Sequence, residues 1–311
     1  MNRSKTDSDS VASSLDRAAA LLGAAGVEQP RRDARLLLAE ALGGRPELVT
    51  GYPERLLDPG QASRFRALVG RRAAREPVSR ILGRREFWSL DLCIGADVLD
   101  PRPESETVVE AVLGRIGDRE APVRILDLGT GSGCLLLALL SELPRARGLG
   151  VDISPAALAI ARENARRLGL SPRTAFRPGN WAQGLTGSWQ VIVSNPPYIM
   201  DHEIAGLAPE VARYDPRLAL SGGADGLAAY RSLAPQVARL LASNGILALE
   251  VGAGQAGEVG RLLGAAGLTG VACMRDLGGV ERCVLATRGA ALGTDLIGGM
   301  KKTVGKRRIH D

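Results

Sequence analysis

The chain has only two histidines, His202 and His310, and four cysteines, at positions 93, 134, 273 and 283. No two cysteines stand as C-x-x-C, so the spacing of a zinc site is missing. The four are expected to be ordinary thiols in a reducing compartment. A histidine triad or histidine-rich metal site would need His202 itself, and no G-x-S-x-G elbow accompanies it. These shortages remove most hydrolase and metalloenzyme classes. Aromatic residues make up 3% of the 311 residues, which leaves Leu, Val, Ile and Ala to build the core. No uncharged apolar run is long enough to span a bilayer. The opening MNRSKTDSDSVASS lacks an apolar stretch and carries two Asp, which fits neither a secretory signal nor an organelle presequence. Residues 1–13 are expected to form a disordered tail, and the protein is expected to be cytoplasmic.

What is present points to a globular protein. Hydrophobic residues are 45% of the chain and charged residues 24%, enough for one large domain or two smaller ones. The net charge is +6, but the segment 290–311 holds three Lys and two Arg against two Asp. Half of the excess therefore sits in a basic C-terminal tail, and the body is too weakly basic for a protein that lives on phosphate contacts.

Residues 14–77 read as a small helical domain. Ser13 and Asp16 resemble a capping pair, with Leu15, Ala18, Ala19 and Leu22 on one face. Pro30 opens a second helix carrying Leu36, Leu37 and Leu38. Asp58-Pro59 starts another, with Phe65, Leu68 and Val69 inside and Arg64, Arg66, Arg71, Arg72 and Arg75 on a solvated face. Residues 78–97 alternate as a β-hairpin linker, with Val78 to Leu82 read as extended. From Val123, short apolar runs alternate with helical ones, the pattern of a mostly parallel sheet covered by helices. The last two runs, VACMRDL and CVLATR, are expected as an antiparallel pair at one sheet edge.

Two motifs carry chemistry. Asp127-Leu128-Gly129-Thr130-Gly131-Ser132-Gly133 follows the first strand of this region and opens a helix. Glycines allow a tight turn and close approach of a ligand to bare backbone. Asp152 ends the next strand, where a carboxylate reaches the hydroxyls of a ribose. The spacing G-x-G-x-G departs from the dinucleotide pattern G-x-G-x-x-G and favours an adenosyl group with an amino-acid tail, as in S-adenosylmethionine. The second motif, Asn195-Pro196-Pro197-Tyr198, follows the buried run Val191 to Ser194. Its prolines donate no hydrogen bond, so the carbonyls of Asn195 and Pro196 and the Asn195 side chain are available as acceptors. Acceptors beside an aromatic ring suit a planar NH2 group. Two acceptors holding the two hydrogens of such a group would aim the nitrogen lone pair at a sulfonium methyl, without a general base.

These residues resemble the class I methyltransferases acting on planar amino groups, and above all the protein-glutamine N5-methyltransferases that modify peptide-chain release factors. Val98 to Glu106 is similar to the PRPE-type segment of that family. YDPRLAL and GGADGL within Pro209 to Tyr230, Glu250-Val251-Gly252 and Arg275-Asp276-Leu277 are similar to its later segments. The resemblance covers roughly residues 15–288. It implies a Rossmann-like domain with a mostly parallel seven-stranded sheet at 98–289, preceded by a helical substrate-recognition domain. Gly129, Thr130, Gly131, Ser132, Gly133, Asp152, Trp181 and Asn195 would then bind S-adenosylmethionine, with Trp181 beside the adenine. Asn195, Pro196, Pro197 and Tyr198 would hold the substrate glutamine of the Gly-Gly-Gln tripeptide in class 1 release factors, with Asn195, Pro196 and Tyr198 at the reaction itself. Asp100 replaces the usual aliphatic residue before PRP, and Asn180 stands where an acid is common. Cys134 is read as plain packing. Rival readings are a DNA or RNA amino-methyltransferase, which would need a basic path for a flipped base, and a glutamine methyltransferase of a ribosomal protein. Direct nucleic-acid or membrane binding is not expected.

Overall fold

The computed structural model describes residues 10–289; the basic segment 290–311 and most of the tail expected at 1–13 lie outside them. The first helix, α1 (Val11–Ala24), begins three residues ahead of the expected Ser14. Ser10 is its cap: the hydroxyl accepts a hydrogen bond from the Ser13 amide at 3.2 Å. Val11, Leu15, Ala18 and Leu22 form its buried stripe. In α2 (Pro30–Ala41), Leu37 and Leu38 are buried but Leu36 is 41% exposed. Consecutive helical residues point in directions about 100° apart, and the buried side here is that of Ala34, Leu37, Leu38 and Ala41, which leaves Leu36 toward solvent. After the short α3 (Pro46–Gly51), α4 (Pro59–Ala73) starts with a complete capping box between Asp58 and Gln61 and buries Phe65 and Val69.

Val78–Leu82 is a helical turn, α5, and not the extended segment read from its alternation. Pro77 opens it and Gly83, at φ 70°, closes it in the left-handed conformation. Five apolar-alternating residues are too few for periodicity to separate turn from strand. The five helices bury a core of their own. The hairpin of β1 (Arg84–Phe87) and β2 (Leu90–Cys93) follows. Its two turn residues, Trp88 and Ser89, both have positive φ, as a type I′ turn requires. Trp88 is tied down there, its amide donating to Glu106 at 2.8 Å and its indole N–H to Glu142 at 2.9 Å.

The larger unit runs α6 (Glu106–Leu113), β3 (Arg124–Leu128), α7 (Cys134–Glu142), β4 (Arg147–Asp152), α8 (Pro155–Arg167), β5 (Thr174–Pro178) and β6 (Trp189–Ser194). It continues with α9 (Pro209–Ala212), α10 (Arg217–Leu220), α11 (Ala228–Leu240), β7 (Leu241–Glu250), α12 (Ala256–Ala265), β8 (Thr269–Arg275) and β9 (Glu281–Thr287). The seven strands β3 to β9 form one sheet in the order β5-β4-β3-β6-β7-β9-β8. Pairing is parallel from β5 to β7, and β9 runs antiparallel to both its neighbours. The expected antiparallel pair thus closes one edge, with the last strand in sequence lying inside β8. Apolar side chains of α6 and α7 cover one face, and those of α11 and α12 the other.

β3 has β4 on one side and β6 on the other, so connections leave it in opposite directions. Ligands bind beyond the carboxyl ends of strands at such a switch point. Four strand ends meet there. β3 delivers the glycine turn, β4 delivers Asp152, β6 leads into Asn195, and β7 ends at Glu250, one residue past the Ser194–Leu249 pair.

Candidate active site

The glycine turn is held from beneath. The amides of Gly129 and Thr130 both donate to the Val151 carbonyl, at 2.8 and 3.0 Å. The Gly131 amide donates to Asp152 Oδ2 at 2.8 Å, and Asp152 Oδ1 accepts from the Ser154 amide at 2.9 Å. Each carboxylate oxygen keeps a second lone pair, so Asp152 can orient the turn and still accept from a ligand hydroxyl. Gly129 has φ 72°, and a Cβ there would come within 3.2 Å of the Trp181 ring. Gly133, at φ 83°, starts α7.

A cavity of about 370 Å³ opens over this turn, within the range of small-molecule sites. Gly129, Thr130, Gly131, Ser132, Asp152, Trp181, Asn195 and Pro197 border it, as does Asn180. Gly133 does not; it sets the direction of α7 instead. Pro196 is buried and Tyr198 faces elsewhere. A second cavity, of about 260 Å³, is lined by Asn195 and Tyr198 together with Glu250 and Arg282. Asn195 is thus the motif residue that borders both spaces. Its Nδ2 donates to Ser105 Oγ at 3.2 Å. The carbonyl oxygens of Asn195 and Pro196 take no hydrogen bond from the described residues.

Three buried groups at the site were not singled out from sequence. Asp127, at the end of β3, accepts from the Thr130 hydroxyl at 2.6 Å, while its other oxygen is buried without a partner among the described residues. Burial pushes its carboxyl up to about 7 against the pull of that hydrogen bond, and the charge of Asp152 pushes it further. Glu250 is likewise driven to about 7 by burial, opposed by Ser105, by the Arg282 charge and by Tyr198. The Tyr198 hydroxyl donates to Glu250 at 3.4 Å; burial and that acid hold the phenol neutral by raising its pKa. The third is Ser105, in the turn before α6. The switch-point rule would have found Asp127 and Glu250, because both end strands that flank the motif strand. Ser105 carried no such signal beyond its place in the PRPESE segment. Cys134 borders the first cavity, and burial raises its thiol to about 12, which leaves it protonated.

The wall shared by both cavities comes from the segment after Tyr198. Pro216, Leu218 and Ser221 border the first space, Leu207 and Val211 the second, and Ala219 both. Two of its carboxylates pin this segment to the helical domain. Glu210 bonds Arg72 at 2.9 Å and Arg75 at 2.7 Å. Asp215 bonds Arg80 at 2.7 Å and Arg102 at 2.5 Å. The expected solvated arginine face of α4 is therefore wrong for Arg72, which is 6% exposed and also bonds Asp33. Asp100, the departure in the PRPE-type segment, is a structural residue: its carboxylate accepts from the Ser79 hydroxyl at 2.7 Å, and its amide faces Asp215.

No group of three or more His, Cys, Asp or Glu among the described residues could hold a metal ion. No helix among them is long and apolar enough to cross a membrane. A glycine turn beneath an aromatic ring, an acid at the end of the neighbouring strand, and an Asn-Pro-Pro-Tyr turn on the third strand define a class I methyltransferase, the class whose methyl donor is S-adenosylmethionine. Residues 120–256 match the methyltransferase domain family and residues 13–83 the PrmC N-terminal domain family. The chain is 55% identical to the release factor glutamine methyltransferase of Rhodospirillum rubrum, over 89% of this chain and 85% of that one. It is 48% identical to the release factor glutamine methyltransferase of Caulobacter vibrioides, over 85% and 91%. Among solved structures, the hMettl16 catalytic domain in complex with a MAT2A 3′UTR hairpin aligns with TM-score 0.56 at 16% identity, covering 81% of this chain and 92% of that one, a likeness of fold alone. The chain belongs to the release factor glutamine methyltransferase family.

Proposed function

We propose that this enzyme methylates the side-chain amide nitrogen of the glutamine in the Gly-Gly-Gln tripeptide of class 1 release factors. The observation that carries the reading is the position of Asn195 on the border of both cavities. One space, floored by the glycine turn and closed by Asp152 and Trp181, suits an adenosyl group. The other, flanked by Tyr198, suits a small planar side chain. When bound, S-adenosylmethionine supplies an electrophilic methyl on a sulfonium.

The protein's part is orientation. The Asn195 side-chain carbonyl and the Pro196 backbone carbonyl accept the two hydrogens of the substrate amide. Held this way, the nitrogen is drawn out of conjugation and its lone pair faces the first cavity. Placing the reactants in line supplies much of the acceleration. With S-adenosylmethionine bound, the methyl would pass to this nitrogen with the sulfonium leaving as a neutral thioether, and the nitrogen would release one hydrogen as a proton to water. Asp152 and the backbone of residues 129–132 would hold the adenosyl part with Trp181 beside its base, and Pro197 and Tyr198 bracket the acceptor.

The test is to incubate the chain with radiolabelled S-adenosylmethionine and a class 1 release factor, with a ribosomal protein fraction and with duplex DNA and RNA in parallel. Label should appear on the release factor and vanish when its Gly-Gly-Gln glutamine is replaced by alanine. Label on nucleic acid or on ribosomal protein alone, or no transfer to any of them, overturns the reading.

A further inference from the structure

The second cavity carries donors that the reaction proposed above does not use. Two arginines border it, Arg102 and Arg282. A guanidinium only donates, so it has nothing to offer the NH2 group of a carboxamide, and an acceptor must come to it. Arg102 is engaged in the cavity wall, where it bonds Asp215 at 2.5 Å. Arg282 is held differently. Its Nε donates to Asp276 at 3.1 Å, and its two Nη atoms make no hydrogen bond among the described residues. Asp276 is itself fixed: its other oxygen accepts from the Val280 amide at 3.0 Å, and its side chain is 8% exposed. An arginine tied through Nε keeps the outer part of its planar fork free and aimed. The Arg282 side chain is 22% exposed, so solvent and ligands can reach it.

The fold places this fork away from the reacting end. The Val251 amide, just past the end of β7, donates to the Arg282 carbonyl at 2.9 Å. On its other side β9 begins from the turn at 276–280, where Leu277 is fully exposed. Arg282 therefore stands between a strand end that borders the cavity and a turn that faces outward. It borders the second cavity only, whereas Asn195 borders both. The acceptor oxygen of the glutamine side chain travels with its nitrogen to Asn195, so the acceptor left for Arg282 is on the main chain. The two residues ahead of that glutamine are glycines, whose carbonyls no side chain shields from close approach. We propose that Arg282 is a substrate-binding residue that donates to a main-chain carbonyl oxygen of the peptide entering the second cavity, with Asp276 as the residue that positions it. This rests on the methyl-transfer reading. It gives the Arg275-Asp276-Leu277 segment a part in recognition: the turn fixes the acid, and the acid fixes the guanidinium. Asn195 grips the group that is methylated, and Arg282 grips the backbone that carries it.

The experiment uses the full chain as wild type, Arg282→Gln and Arg282→Lys. Wild-type transfer to the release factor is measured first, and its failure counts against the reading of function, not against Arg282. Given transfer, Arg282→Gln should raise KM for the release factor roughly tenfold, the loss expected for a hydrogen bond from a charged donor. Its kcat and its calorimetric Kd for S-adenosylmethionine should stay within about twofold of wild type, because the lost contact is the same before and during the reaction. Arg282→Lys keeps a charged donor without the fork and should have a KM between the two. A second readout needs no turnover: calorimetry with a release factor whose Gly-Gly-Gln glutamine is replaced by alanine. A main-chain grip survives that replacement, so Arg282→Gln should weaken binding of the alanine form by the same factor of roughly ten. The penalty should persist at about 0.5 M salt, where long-range attraction is screened. An unchanged KM, or a loss confined to kcat, would overturn the proposal. So would a penalty that vanishes on the alanine form, which would put the guanidinium on the glutamine side chain, or one that vanishes in high salt, which would leave only long-range attraction. A parallel loss of S-adenosylmethionine binding would make Arg282 a structural residue and overturn it as well.

Discussion

Arg72 and Glu210 stand 138 residues apart in the chain and 2.9 Å apart in the fold. The arginine belongs to the helical domain and the glutamate to the segment that walls both cavities. Arg75 shares the same carboxylate at 2.7 Å. Burial alone would raise the Glu210 carboxyl, but hydrogen bonds from Arg75 and Arg72 outweigh it and hold the group at about 2. Its ordinary value is near 4.5, so the folded state binds fewer protons than the unfolded one between those two pH values. The stabilisation is present above about pH 4.5 and is lost as pH falls toward 2. A shift of this size corresponds to roughly 3 kcal/mol. Glu210→Gln should lower stability by an amount of this order at pH 7 and flatten the acid limb, as read by chemical denaturation from neutral to acid pH.

Asp215→Asn should be harsher. The Asp215 and Arg80 side chains are 0% and 5% exposed, and removing one member of a buried pair costs about 3–5 kcal/mol because the other charge is left without a partner. A lower midpoint in urea checks this. Tryptic cleavage within the cavity wall should appear at lower denaturant than in wild type.

Gly129→Ala combines a left-handed φ of 72° with a Cβ 3.2 Å from the Trp181 ring. The backbone strain alone costs about 1–2 kcal/mol, and the Trp181 ring, which borders the cavity, must shift to make room. Binding of S-adenosylmethionine, measured by calorimetry, should weaken by roughly tenfold or more.

Asp152→Ala and Asn195→Ala should separate cleanly. Asp152 holds the Gly131 amide of the glycine turn and borders the first cavity, so its loss should weaken S-adenosylmethionine binding by about 1.5–3 kcal/mol. Asn195→Ala should abolish turnover while changing that affinity much less. The reverse pattern would refute the roles assigned to the two residues.

Asp127 predicts a pH dependence of opposite sign to Glu210. Its folded value near 7 exceeds the ordinary 3.8, so the folded state holds an extra proton and stability falls as pH rises between those values. A cationic methyl donor favours the ionised carboxylate. Affinity for S-adenosylmethionine should therefore increase as pH rises through about 7, and Asp127→Asn should flatten that rise. Glu250 titrates in the same range, so in the apo protein Asp127→Asn should reduce the neutral-pH stability slope without removing it.

The parts of the fold legible in the sequence are those set by local pattern. Alternating apolar runs gave the sheet, and the residues at the ends of β3, β4 and β6 declared the site through motif and topology. Boundaries failed where two residues serve one role equally well, as Ser10 and Ser13 do at the start of α1. Val78–Leu82 failed because a five-residue run carries no usable period. The arginine face of α4 failed for a different reason. Arg72 reads as a surface residue until Glu210 is brought beside it, and no neighbouring residue foretells a partner that distant. Ser105 was hidden in the same way, since it gains meaning only beside Asn195, 90 residues away along the chain.

The carboxylate ties at Glu210 and Asp215 bear on how this enzyme could be divided. Separating residues 84–289 from the five helices ahead of them would strand Glu210 and leave Asp215 with Arg102 alone on the strip that encloses the reaction chamber. A severed catalytic half would thus be left with a loosened enclosure as well as without its helical domain. Grafting a foreign helical domain onto it would require carrying over the arginines at 72, 75 and 80.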